Sequence, residues 1–349
     1  MFKSKFIVIG VCLLCLIAAN LSAQVVSAGR TPPAWVSNLE SVYNKSQFLA
    51  ERGEGQNREQ AERNAIARIV ALFGQQIQVD QNISHSYQEF VRNGASAGWS
   101  ETLNVQENMR FSSSIDSLIG VEIREIWQDT RSRNPVFHAV AVMDRARTIR
   151  IYTEMVQANS ALVKSLTTMS DAEKNSFEGY SRFQFAAVIA DVNITYGNVL
   201  SVLDSPVTGL PRGNEFRQEA QNIIRAIPIN VVVRNDRSGR IQGAFAKAFS
   251  DLGFRSGGTN SRYILNVDVV ISPVDNPNNP NRFVRMELDA NLTDTTTRSV
   301  VLPYNFSNRE GHTTVSEAEN RAFMSAERKI NEEYKVLLSN YLSQLLPKR

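Results

Sequence analysis

The sequence predicts an α+β fold: two modules of antiparallel-rich sheet with helices on one face, joined by a long helical hairpin. Three observations predict it. Apolar and polar residues alternate along residues 77–84, 119–123, 263–271 and 284–292, the period of half-buried strands. Residues 145–204, lying between these regions, switch to helical spacing. Paired capping residues mark helix starts in all three regions. At about 150 residues per domain, the residues 24–349 left after an expected leader make two domains, each large enough for its own core.

Residues 33–144 make the first module. After a short tether containing Pro32 and Pro33, residues 48–52 read as a strand that ends at Gly53-Glu54-Gly55. Asn57 and Gln60 have capping-box spacing, and Ala61, Ala65, Ile69 and Phe73 then repeat along one helix face that ends at Gly74. Ile77, Val79 and Ile83 alternate with polar residues, as do Ile119, Val121 and Ile123. Residues 94–98, bounded by Gly94 and Gly98, read as a hairpin loop. The apolar run 136–143 reads as a more central strand.

Residues 145–204 form the helical hairpin. Ile149, Tyr152, Val156, Leu162 and Leu166 line one face of its first helix. Ser170 and Glu173 form a capping box from which a second helix runs through Leu203, long enough to reach ~50 Å at 1.5 Å per residue. Such a hairpin either packs on a domain or projects as an arm. Residues 205–213, with two prolines and two glycines, read as a linker.

Residues 214–349 are expected to fold as β-α-β-β-β-α. Ile229, Val231 and Val233 make a strand. Ile241, Ala244, Phe245, Ala248, Phe249 and Leu252 make one face of a short helix stopped by Gly253. Tyr263, Leu265, Val267, Val269 and Ile271 then face the same way as Val284, Met286, Leu288, Ala290 and Leu292, across the polar loop 275–281. Arg285, Glu287, Asp289 and Asn291 lie on the opposite face, so the sheet is apolar on one side only. A strand over residues 300–306 follows, then a last helix capped by Ser316 and Glu319, with Ala322, Ala326, Ile330, Leu337, Tyr341 and Leu345 as its covering stripe.

Residues 1–23 have the pattern of a cleaved export signal: basic Lys3 and Lys5, an apolar run over residues 6–19, and small residues Ser22 and Ala23 before the expected cut at Gln24. The run is short for a bilayer span. Both cysteines, Cys12 and Cys15, fall in this segment, inside the apolar run, where neither has the preceding small residue and following polar sequence that lipidation requires. The mature chain is therefore expected to be free of cysteine, which excludes thiol chemistry and thiolate metal sites. It keeps 36 of the 38 basic residues against 35 acids, interspersed along the chain, so no nucleic-acid partner is implied.

Pro33-Ala34-Trp35-Val36, the strand and glycine segment 48–55, the alanine-rich helix 61–73 and a later strand ending in Met143-Asp144 resemble, in that order, the Lpp-twenty family of bacterial envelope lipoproteins. The related N-terminal domain of flagellar assembly protein T is similar too. The resemblance covers residues 33–150 and implies an envelope location and an accessory role, with no catalytic residues to carry over. The chain departs from the lipoprotein pattern in lacking a suitably placed lipidation cysteine.

No catalytic or metal constellation stands out. His85, His138 and His312 sit on three separate elements without partners at metal-ligand spacing. Glu317 with Glu319, and Glu332 with Glu333, do not share a helix face. Asp268 and Asp289, on adjacent predicted strands, have the disposition of a carboxylate dyad, although on a solvent-facing side of the sheet. Gly53-Glu54-Gly55 lacks the spacing and lysine of a phosphate loop and reads as a helix start. The segment 275–281 is rich in side-chain oxygens, but its two prolines and single acid suit a plain hairpin loop better than a calcium site. Trp35 reads as core packing or as an exposed partner anchor. The expectation is a non-enzymatic exported envelope protein, in the periplasm or peripherally associated with the outer membrane, that works by contacts with envelope proteins and carries no cofactor. The alternative is a glycan- or small-molecule-binding module, with its site at Arg285, Glu287 and Asp289.

Mass spectrometry of the exported protein should find Gln24 at the N-terminus with no acyl group. An acylated Cys15 at that terminus would contradict the reading.

Overall fold

A computed structural model describes residues 25–74, 118–131, 133–258, 260–277 and 279–345. It is α+β and divides into two units, Met1–Leu72 with Gly120–Ala146 and Phe73–Ile119 with Arg147–Arg349. The expected leader, the strand around residues 77–83 and the hairpin loop 94–98 lie outside the described residues.

In the first unit the apolar run becomes β4 (Val136–Asp144), central in a sheet of order β1-β3-β4-β2. Its residues 139–143 are all 0% exposed, so both faces of this strand are covered. On one face Val140 and Val142 pack with Trp35, Tyr43 and Trp127, brought by short helices α1 (Ala34–Ser37) and α2 (Leu39–Val42) and by β3 (Val121–Asp129). The other face receives α3 (Arg58–Phe73). Helices thus cover both faces of this module, in place of the single face expected, because β4 is apolar on both sides.

The approach of α3 explains the glycine segment. Gly53 and Gly55 are residues of β2 (Phe48–Gly55), antiparallel to β4, and do not form a loop at the helix start. A Cβ on Gly53 would lie 2.2 Å from both the Ala61 carbonyl oxygen and the Ala65 nitrogen. Alanine on the helix and glycine on the strand therefore set one close contact, which buries Ala61 and Ala65 completely. The Asn57 carboxamide caps α3 by accepting from the Gln60 amide at 2.9 Å, and Gly74, at φ +57°, ends it. Residues of the expected tether form β1 (Val25–Gly29), an edge strand parallel to β3.

The second unit contains the helical hairpin, α4 (Arg145–Thr167) and α6 (Phe177–Val202). Tyr152 meets Tyr196, Asn193 donates to the Val156 carbonyl at 3.1 Å and Arg182 donates to the Leu166 carbonyl at 2.8 Å, which makes the two helices antiparallel. The Ser170–Glu173 capping box forms, but it starts only the single turn α5 (Asp171–Lys174). Ser176 then caps α6 afresh, so the second helix is 26 residues, about 39 Å. The helix is apolar and long enough to cross a membrane by composition, yet much of it is buried inside the protein. Phe177 and Phe183 join the core of the C-terminal sheet, and the Ser181 hydroxyl donates to the Leu342 carbonyl at 2.6 Å.

The expected linker does not separate domains. It leads into α7 (Gly213–Ala226), a helix absent from the sequence reading, which packs back on α6. Asp191 of α6 accepts from the Gly213 amide at 3.1 Å and pairs with Arg217, capping α7 from outside its own chain segment. Gly213 is needed there, since a Cβ would fall 2.5 Å from the backbone carbonyl oxygen of Ala187.

The C-terminal sheet has the order β6-β5-β7-β8-β9, with β5 (Pro228–Arg234) parallel to β6 (Arg255–Ser256) and β7 (Tyr263–Val274). β7, β8 (Arg282–Asp294) and β9 (Ser299–His312) are antiparallel. Leu265, Val267, Met286, Leu288, Ala290 and Leu292 are at most 2% exposed, beneath α8 (Arg240–Asp251), α9 (Val315–Lys329) and α10 (Lys335–Gln344). The cap of α9 is Thr314, whose hydroxyl accepts from the Glu317 amide, and Ser316 lies inside the first turn.

A π-helical turn, Ile330–Tyr334, joins α9 to α10 and shifts the expected stripe. The buried residues are Tyr334, Leu338 and Leu342, while Leu337 is 37% exposed. Inward residues recur every fourth position from Ala318, a spacing that drifts around a regular α-helix. The wider π turn takes back that drift. Tyr334 then sits among Phe245, Phe249 and Tyr304, with ring centroids 4.8–5.7 Å away.

Gly53→Ala should destabilise the protein by about 3 kcal/mol, because the added carbon meets helix backbone that cannot yield. Gly258→Ala, where nothing lies within 4 Å of the new carbon, should be near neutral in the same thermal-unfolding measurement.

Candidate functional site

The sheet alternation that buries one face sets the chemistry of the other. Along β8 the outward residues are Phe283, Arg285, Glu287, Asp289 and Asn291. Strand pairing places Asp268 on one side of Asp289 and Asn305 on the other, and places Ser272 and Arg309 on either side of Arg285. The outer face is thus ordered in lanes that run across the strands. One lane reads Arg234-Asp268-Asp289-Asn305, the next Val270-Glu287-Ser307, and the third Ser272-Arg285-Arg309.

These lanes bring together three of the sequence-predicted residues, Arg285, Glu287 and Asp289, all exposed on one surface. A depression of about 590 Å³ lies over Asp268, Val270, Glu287, Asp289, Asn305 and Ser307, and it is widely open to solvent. Trp35 takes no part. It is 2% exposed in the first unit, a core residue and not a surface anchor.

Asp268 and Asp289 are opposed as the dyad reading requires, but each has its own partner. Arg234 pairs with Asp268 at 2.7 Å. Asp289 accepts from the Asn291 side-chain amide at 3.1 Å and, with the Asn305 carboxamide oriented to donate, from Asn305 Nδ2 at 2.9 Å. Separate donors thus engage the two carboxylates on the solvent-facing side of the sheet. His312 stands at the far end of β9, and His138 is buried beside Trp127 in the first unit. Asn279 turns its side-chain oxygen to the Asn281 amide, so the loop after β7 uses that group in a local turn.

Sequence reasoning missed Arg309, Phe283 and Arg234. β9 runs six residues past the Phe306 end predicted for it. The polar alternation Asn305, Ser307, Arg309 was the available signal for that extension.

A second polar cluster, around Arg262, is a joint in the fold. Arg262 grips Asp294 at 3.0–3.3 Å, donates to the carbonyls of Ala172 and Asn175 at 3.0 and 3.1 Å, and lies over the Tyr263 ring. Beside it Phe177 stacks on Tyr263 with centroids 3.7 Å apart. The adjoining groove of about 640 Å³ therefore borders a guanidinium whose donors are nearly all engaged within the protein. Burial alone would raise the Asp294 pKa, but the Arg262 and Thr296 hydrogen bonds outweigh it and hold the carboxyl below its usual value.

No protein-family model matches the chain, and no curated protein matches it by sequence. Among solved structures, a secreted protein of Helicobacter pylori is similar over 86% of this chain and 99% of its own, with 14% identity and a TM-score of 0.41. A putative lipoprotein of Caulobacter crescentus matches 32% of this chain and 90% of its own, with 18% identity and a TM-score of 0.26. A minor lipoprotein of Acinetobacter baumannii matches 35% of this chain and 95% of its own, with 12% identity and a TM-score of 0.26. Scores this low do not establish a shared family.

Because the folded-state pKa of Asp294 is depressed, its stabilisation is complete above the unfolded value and is lost as pH falls below about 4. Asp294→Asn should lower the melting temperature at pH 7 and flatten its decline between pH 5 and pH 3.

Proposed function

We propose that the protein is a non-enzymatic, exported accessory or scaffold component of a bacterial cell envelope that acts through contacts with other proteins. The observation that carries this reading is the outer face of the C-terminal sheet, where charged and polar lanes are interrupted by the exposed Val232 and Val270. A broad, open and chemically patterned face suits a protein partner better than a small substrate, which binds in an enclosed, largely apolar pocket. The export signal at residues 1–23 supports the compartment, and the Lpp-twenty-like order of residues 33–150 supports the envelope and an accessory role. Peripheral association with the outer membrane through partners fits both.

The depression over Glu287 and Asp289 favours a second reading, a binding module for a glycan or another small molecule. The two readings differ in what stabilises the protein. Affinity capture of the tagged chain from chemically crosslinked envelopes should recover a defined protein partner, and the same preparation should show no melting-temperature rise across a glycan and metabolite panel. A reproducible rise with one compound, together with no recovered partner, would support the second reading over the first.

A further inference from the structure

Arg285 and Arg309 face each other directly across β8 and β9 on the outer face. Like charges so placed oppose sheet formation. Among the described residues neither has an ion-pair partner, whereas Arg234 in another lane pairs with Asp268. Arg309 is also propped in place. Its guanidinium lies 4.5 Å from the centroid of the Phe283 ring, and that ring rests on Gly311, where a Cβ would approach within 2.3 Å. The Ser272 hydroxyl completes the lane on the other side of Arg285.

The neighbouring lanes carry the opposite sign. Glu287 is two residues from Arg285 along β8, about 7 Å at strand rise, and Asp289 is about 14 Å away. A polyanion suited to the arginines is therefore repelled by the acids beside them. The face selects a dipolar partner.

We propose that the Arg285–Arg309 lane receives an acidic side chain of an extended segment of a partner protein, while a basic side chain two residues along that segment lies over Glu287. The same-side spacing of an extended chain is also about 7 Å, so one strand-like segment meets both lanes in register. This deepens the contact-face reading and rests on it.

The test uses the purified mature protein and fluorescent seven-residue peptides with a Ser/Thr background, carrying Asp and Lys two positions apart, two Asp, or two Lys. The Asp/Lys peptide should bind at least roughly fivefold tighter than either single-sign peptide. Arg285→Gln with Arg309→Gln should abolish that preference, and Glu287→Gln should shift it toward the two-Asp peptide. The double variant should melt no lower than the wild type, since it removes a repulsive pair. Equal binding of all three peptides, an unchanged preference in the double variant, or competition by inorganic phosphate or acetate at the peptide's own concentration would overturn the proposal. Envelope capture with the double variant separates the two failures: a partner retained without charge preference sinks the lane assignment alone, and a wild type that captures nothing sinks the contact reading.

Discussion

Everything in the C-terminal half depends on strict two-residue alternation along β7 and β8. Leu265, Val267 and Val269 lie opposite Leu292, Ala290 and Leu288, so one side of the sheet must be dried by helices. The intervening residues have no choice but to face outward. Packing and surface chemistry are therefore set by the same register, and a slip of one residue would put Glu287 and Asp289 into the core while exposing Leu288.

The helical hairpin is tied to this sheet at one end. Phe177 begins α6 and stacks on Tyr263, which begins β7, and Arg262 beside it holds the carbonyls of the hairpin turn. The joint closes on itself, because Asp294 at the end of β8 accepts from Arg262. Aromatic stacking and a mostly buried, charge-assisted bond thus reinforce each other at the point where the long helices meet the core. In the first unit the same need for close approach is met differently, by removing side chains altogether at Gly53 and Gly55.

Period-two patterns were the most legible part of the sequence. The inward and outward sets of β7 and β8, the loop between them and the buried face of α8 all read correctly, since each is a local repetition that burial enforces. The same reading placed Arg285, Glu287 and Asp289 on one outward surface. Features that depend on distant contacts were hidden. On the last helix Tyr341 and Leu345 do pack against the core, but regular spacing put Leu337 in the stripe and passed over Tyr334, Leu338 and Leu342, because the π turn is set by the aromatic cluster around Tyr334 and not by local propensity. Helix α7 escaped because it starts at a glycine and takes its cap from Asp191, more than twenty residues away. Gly53 looked like a helix start because its purpose, contact with Ala61 and Ala65, exists only after folding. Arg309 was missed for a plainer reason: the apolar signal of β9 fades after Phe306 while the strand continues.

The proposed function makes the outer face of the C-terminal sheet the working surface and the helical side its scaffold. Site-specific photocrosslinking in intact cells tests it most directly, with the photoreactive residue placed at Ser307 on the outer face or at Met324, which is 51% exposed on α9. A working outer face gives a discrete protein adduct from position 307 and none from position 324. Adducts from position 324 alone, or from neither position, would contradict it.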